Sequence, residues 1–272
     1  MRKFVLLLAG LWFSGSALAA PPTASMAYNW TGFYAGLNYG YGLGNRSVNF
    51  TPSDPLSALF FGTDGGQPPS TSFSGRGALG GFQLGYNWQL NTDWLVGAET
   101  DFDFSSLNGS ASSQSQITLA PGIPFTSTVG EQINWFGTLR ARLGYLPTSN
   151  LLTYVTGGFA YGRVARTGIY TNNSGTGFSL NNGTFEISCG GLQTCLTGSS
   201  SGVEGGWTAG GGFDYAVSTN VILRAEYLYV NLGNKSVTEI TNPSGGLIPS
   251  TFNANFGHTY FNIGRLGLIL RL

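Results

Sequence analysis

Charge is the scarcest property of this 272-residue sequence. Asp, Glu, Lys and Arg make up 9% of it, where an ordinary soluble domain carries roughly 25%. Twelve acids balance twelve bases, so the formal net charge is 0. That leaves no basic footprint for nucleic acid, and none is expected as a partner. Histidine occurs once, at His258, beside Gly257, Thr259 and Tyr260. No nucleophile or carboxylate adjoins it, so no catalytic constellation is visible and no enzyme activity is expected. Cysteine occurs twice, at Cys189 and Cys195, with no histidine near either. Neither a metal site nor a cofactor is expected from such residues. Also missing, after the first twenty residues, is any apolar run of about 18 residues, so no transmembrane helix is expected.

Glycine and aromatic residues are abundant instead: 43 glycines, with Phe, Trp and Tyr at 14%. The first residues predict the compartment. Arg2 and Lys3 precede an apolar stretch from Phe4 to Phe13, and Ser16-Ala17-Leu18-Ala19-Ala20 supplies small residues at A-x-A spacing. That is the pattern of a secretory signal over residues 1–20, leaving 21–272 as the mature domain. In an oxidising compartment Cys189 and Cys195 are expected to pair within a loop.

A chain poor in charge and lacking an apolar helix fits a closed β-barrel, whose lipid face recurs at every second residue. The first strand, about Thr31 to Leu43, carries Phe33, Ala35, Leu37, Tyr39 and Tyr41 on one parity and Tyr34, Gly36, Asn38, Gly40 and Gly42 on the other. Further strands are predicted near Arg76–Trp88, Trp94–Phe104, Ile133–Tyr145, Leu151–Val164, Gly205–Val217 and Val221–Leu232, with a last one at the chain end. Short turns alternate with four long connections rich in Ser, Thr, Asn, Gly and Pro: about Gly44–Gly75, Ser105–Gln132, Ala165–Glu204 and onward from Leu232 to Phe256. The expected fold is all-β: a closed antiparallel eight-stranded transmembrane β-barrel with short periplasmic turns and four long extracellular loops, in a Gram-negative outer membrane. A hairpin hidden near Ala58–Gly62 would make it ten strands. A soluble barrel would put aromatics inside and charges outside, the reverse of this alternation.

On that alternation the inward charges are Glu99, Asp101, Asp103, Asp214 and Glu226 against Arg140, Arg142, Arg224, Arg265 and Arg271. Counting from the short-turn end puts Glu99, Arg140, Glu226 and Arg265 near one level. An eight-stranded interior is wide enough only for side chains, and buried charge needs partners. A plugged lumen with an internal charge network is therefore expected. Arg76 and Arg163 fall on the lipid parity at strand ends, where they could reach headgroup phosphates.

Several segments carry a resemblance: "NWTGFYAGLNYGYG", "GFQLGYNWQ", "GAETDFDFS", "NWFGTLRARLGY", "LLTYVTGGFAYGRV", "GWTAGGGFDYAV", "LRAEYLYVNLG" and the final "RLGLILRL". In order they span essentially the mature chain. They resemble the small outer-membrane immunogenic proteins, the porin-family opacity-like surface antigens, which are similar to the barrel of outer-membrane protein A. The resemblance implies a surface-exposed eight-stranded barrel in an envelope structural and antigenic role, with no catalytic residues. Such barrels end on an aromatic residue read by the assembly machinery; this chain has Leu272. Expected partners are outer-membrane lipids and lipopolysaccharide, the barrel-assembly machinery, and host or ligand contacts through the loops, with the chain a monomer. The alternatives are a narrow porin for small solutes and a loop-mediated adhesin or ligand binder.

Overall fold

The computed structural model describes residues 28–62, 65–118, 122–241 and 247–272. The expected signal segment, residues 1–20, lies outside them. Among the described residues, thirteen strands and one helix follow in chain order. They are β1 (Gly32–Pro52), α1 (Pro55–Gly62), β2 (Thr71–Gln89), β3 (Trp94–Ile117), β4 (Ile123–Thr148) and β5 (Leu151–Asn172). Then come β6 (Phe178–Asn181), β7 (Phe185–Cys189), β8 (Thr194–Ala216), β9 (Val221–Asn231), β10 (Lys235–Thr241), β11 (Ile248–Pro249), β12 (Thr251–Phe256) and β13 (Tyr260–Arg271).

Eight of these strands form a ring. The antiparallel order β1-β13-β9-β8-β5-β4-β3-β2 returns on itself, because β2 pairs with both β3 and β1. The pairing of β2 with β1 leaves neither of those two strands as a free sheet edge. Short connections, such as Leu90–Asp93 and Val217–Asn220, join strands at one end, where β1 starts and β13 finishes. Alternation explains the ring's two faces. Phe33, Leu37, Tyr39, Tyr41 and Leu43 point outward from β1 and are roughly half exposed or more, while Tyr34 and Asn38 between them are buried. From Phe33 to Leu43 a tilted strand rises about 25 Å, the height of a transmembrane apolar band.

The strands run well past that band, which corrects the expected long loops. β3 and β4 are 24 and 26 residues long. The expected loop Ser105–Gln132 is therefore mostly strand. At the far end β10 pairs with both β12 and β8, and β12 pairs with β1. β9 with β10, and β12 with β13, thus act as two interrupted strands that carry the eight-membered ring upward. Here the alternation inverts: Val48 and Phe50 of β1, Phe125 and Val129 of β4, and Phe252 and Phe256 of β12 point inward and bury a second core. Ala58–Gly62 holds no hairpin; it belongs to α1, whose Leu56, Phe60 and Phe61 cap that core. Asp54 caps the helix, its Oδ1 accepting from the Leu56 and Ser57 amides at 3.0 and 2.9 Å. The added pairing lies elsewhere: β10 and β12 in the last connection, and a small sheet β11-β7-β6. The Cys189–Cys195 disulfide ties β7 to β8 inside the second core.

Candidate functional site

The ring interior is filled in layers, and register builds them. Glu99 stands directly opposite Arg140, Glu226 opposite Arg265, and Asp214 opposite Arg224. Each acid meets a base across one ladder, and the ring's curvature then brings the pairs together. Arg140 donates to Glu99 at 2.5 Å, to Asp101 at 2.8 Å and to Glu226 at 2.9 Å. Arg265 donates to Glu226 at 2.6 Å, Asp101 at 2.7 Å and Asp103 at 2.9 Å. Arg224 forks onto Asp214 at 2.7 and 2.8 Å and also meets Glu99. Arg142 donates to Asp214 at 2.9 Å and lies 3.9 Å over the Tyr154 ring. All these charged side chains are at most 2% exposed. Such burial is tolerable because every one of these charges is paired and the geometry is multidentate, although Asp103 Oδ1, Arg140 Nε and Arg142 Nε have no hydrogen-bond partner.

Nine of the ten inward charges named from the sequence meet here. Arg271 does not. It sits at the short-turn end, donating to the Thr31 carbonyl at 3.1 Å and lying 5.6 Å over the Tyr28 ring. It is too near the strand end to reach the others. The layer therefore holds five carboxylates against four guanidiniums. Neutral partners that sequence reasoning left out complete it. Tyr34 donates to Glu99 at 2.6 Å, Tyr154 to Glu226 at 2.9 Å and Thr138 to Asp101 at 2.9 Å. Their inward parity was the signal available. Inward glycines leave the room: a Cβ on Gly40 would stand 2.7 Å from that of Arg265.

Below this layer, toward the short turns, Trp30, Leu95, Leu152, Ile222 and Ile269 form an apolar floor. Trp30 is 2% exposed and its Nε1 donates to the Ser149 carbonyl at 3.1 Å. Above it lies a second apolar layer that includes Leu107, Ile133, Phe136, Leu228, Phe261 and Ile263. Higher still is a second ionic layer that the sequence reading missed entirely. Arg166 donates to Glu131 at 2.9 Å and to Glu204 at 2.5 and 2.9 Å, and Arg46 also meets Glu131. Thr259 and Arg166 share a 2.7 Å bond. Arg46, Glu131, Arg166 and Glu204 fell in expected loops. For Arg46 the signal was present, since it continues the even, inward parity of Tyr34 to Gly44.

Arg76 and Arg163 both point outward and are exposed. Arg76 stands level with Leu43 and Asn108, and Arg163 with Trp135 and Val203. His258 is exposed near the start of β13. Among the described residues, no group of three His, Cys, Asp or Glu side chains could hold a metal ion.

Comparison with known proteins places this architecture. Residues 5–259 match the model of the outer membrane protein beta-barrel domain. The 31 kDa outer-membrane immunogenic protein of Brucella melitensis is 35% identical over 253 residues, covering 89% of this chain and 92% of that protein. The 25 kDa outer-membrane immunogenic protein of Brucella ovis is 28% identical over 204 residues, covering 68% and 88%. Among solved structures, the outer membrane protein OprG from Pseudomonas aeruginosa overlaps with a TM-score of 0.45 at 11% identity, over 91% of this chain and all of that one.

Proposed function

The chain belongs to the outer-membrane β-barrel protein family, and on that footing we propose that it is a stoppered, closed transmembrane barrel serving as an envelope structural protein and surface antigen. It is an outer-membrane protein. In the proposed orientation the short turns, with the start of β1 and the finish of β13, face the periplasm, and the strand extensions with their α1 cap face outward, as in outer-membrane barrels generally. Residues 21–272 then form one domain.

One observation carries the stoppered reading. Inward residues along β4 run from Arg142 and Arg140 through Phe136 and Ile133 to Glu131, then Val129 and Phe125, and all are buried. A solute would have to break two ionic layers and pass the apolar layer between them. An eight-stranded ring has little spare width for that. The protein therefore offers the membrane a rigid wall and offers the outside a folded surface.

Planar-bilayer recording on the refolded chain tests this. The expected trace is flat, with at most brief small openings. A steady large conductance, or rapid swelling of loaded liposomes in small sugars, would replace this reading with that of a narrow porin.

A further inference from the structure

Above the apolar band the outer wall of the ring is free of charge. Six charged residues lie in the described strand extensions; Arg46, Glu131, Arg166, Glu204 and Glu239 point inward, and Lys235, the first residue of β10, is the exposed exception at the foot of the wall. The outward positions carry hydroxyls and amides: Asn45, Ser47, Asn49 and Thr51 along β1, and Ser110, Ser112, Gln114 and Gln116 along β3. They bond laterally across the ladders. Ser74 donates to Asn45 at 2.9 Å, Ser112 and Thr128 lie 2.8 Å apart, and Thr238 donates to Asn253 at 2.9 Å. From Asn108 to Ile117 this wall rises roughly 20–25 Å for a tilted strand. Among the described residues of the wall, charge reappears on the outside at its foot, where Arg76, Arg163 and Lys235 are exposed and all basic.

A protein wall facing bulk water carries about 25–35% charged residues. A wall with none, standing directly on the membrane, is matched to a neutral, hydrogen-bonding neighbour. We propose that this wall is a docking surface for the saccharide chains of the outer-leaflet glycolipid, with the basic foot against that lipid's phosphates. Hydroxyl and amide rows at strand spacing offer donors and acceptors about 4.8 Å apart across the ladder and about 7 Å along it. Sugar hydroxyls can bond to such rows without the cost of desolvating a charge. Arg76 and Arg163 fix the height, because they sit level with Leu43 and Trp135 at the top of the apolar band. The lipid identity is set there and the saccharide is then held above it. This rests on the orientation given under Proposed function.

Refolding the full chain into vesicles of lipid A alone, and into vesicles of rough lipopolysaccharide bearing its core oligosaccharide, tests the assignment. The midpoint temperature of the folded band on an unheated gel is the readout. The core saccharides should raise the wild-type midpoint by several degrees. Ser112→Val with Thr128→Val and Thr167→Val removes outward hydroxyls while keeping β-branched or compact side chains, and should lose at least half of that rise with its lipid A midpoint unchanged. Arg76→Ala with Arg163→Ala should lower the midpoint in both lipids alike, which separates phosphate contacts from saccharide contacts. Equal wild-type midpoints in the two lipids, or a full rise in the hydroxyl variant, overturns the proposal. So does the same rise from soluble oligosaccharide added to lipid A vesicles, since the source would then not be the membrane glycolipid. Failure to form a folded band in lipid A would instead count against the barrel reading itself.

Discussion

A single buried carboxylate marks where the protein's stability should depend on pH. Glu239 of β10 points into the outer core among Phe50, Phe60, Phe61, Tyr170, Leu196 and Phe252. It is 2% exposed, and its Oε1 has no hydrogen-bond partner. Burial alone pushes its pKa from the ordinary 4.5 up to about 7. No cation offsets that, and the titratable neighbour facing it is the Tyr170 phenol. The direction of the linkage follows. Below about pH 4.5 the acid is neutral in both folded and unfolded chains, and its contribution to stability is fully present. As pH rises through about 7 the folded chain must ionise a desolvated group, and up to about 3 kcal/mol is lost. The midpoint of the folded band should therefore fall between pH 5 and pH 8. Glu239→Gln should flatten that dependence. A variant with the wild-type slope would show that another group is responsible.

At the scale of elements, the membrane strands were legible in the sequence and their extensions were not. Phe33 to Leu43 alternates apolar-out against Gly-rich-in, and each membrane strand repeats that sign. The extensions alternate with the opposite sign, as in Asn45, Ser47 and Asn49 outside against Arg46, Val48 and Phe50 inside. Their Ser, Thr and Asn content is also the content of loops, so composition masked period. A second obstacle is local. β4 carries a bulge at Asn134, between the pairs Ile133–Val164 and Trp135–Arg163. The bulge switches the inward parity from even at Arg140 and Phe136 to odd at Ile133 and Glu131. Counting by twos from the short-turn end therefore places Glu131 outside. The lower ionic layer lies before the bulge, so its nine charges kept a readable parity, whereas in the upper layer the bulge hid Glu131 and loop-like composition hid Arg46, Arg166 and Glu204. Arg271 fails for another reason: parity gives the face but not the height. The cap behaves as a separate element. β6 and β7 pair only with each other and with β11, and the disulfide fastens them to β8. Closing so short a loop contributes about 2 kcal/mol in the chain-entropy account. Cys189→Ser with Cys195→Ser should expose β6 and β7 to limited proteolysis, read by mass spectrometry, while the folded band of the eight-stranded ring keeps its mobility. Loss of that band would show that the cap and the ring fold as one unit.

Across the whole molecule, the same ring is stabilised by opposite patterns at its two ends, and the interior records the change. Apolar residues face lipid where the neighbour is lipid, and charges then occupy the lumen. Above the membrane the apolar residues turn in and the polar ones turn out. Along the interior lie five successive stops: the Trp30 floor, the Arg140 layer, the Phe136 layer, the Arg166 layer and the outer core under α1. They share no ion pair, so they should fail independently. Arg140→Ser leaves Glu99, Asp101 and Glu226 short of a partner and should cost about 3–5 kcal/mol, the usual penalty for breaking a buried ionic cluster. It should still leave the barrel insulating, because the Phe136 and Arg166 layers remain. The same holds for Arg166→Ser alone, and for Phe136→Ser with Phe261→Ser. Steady conductance is expected only when substitutions in all three of those layers are combined in one chain, with the Trp30 floor thinned by Trp30→Ala and the outer core under α1 opened by Phe125→Ser with Phe252→Ser. Open channels from Arg140→Ser by itself would show instead that the lower ionic layer is the sole gate, and that the layers above it are already passable.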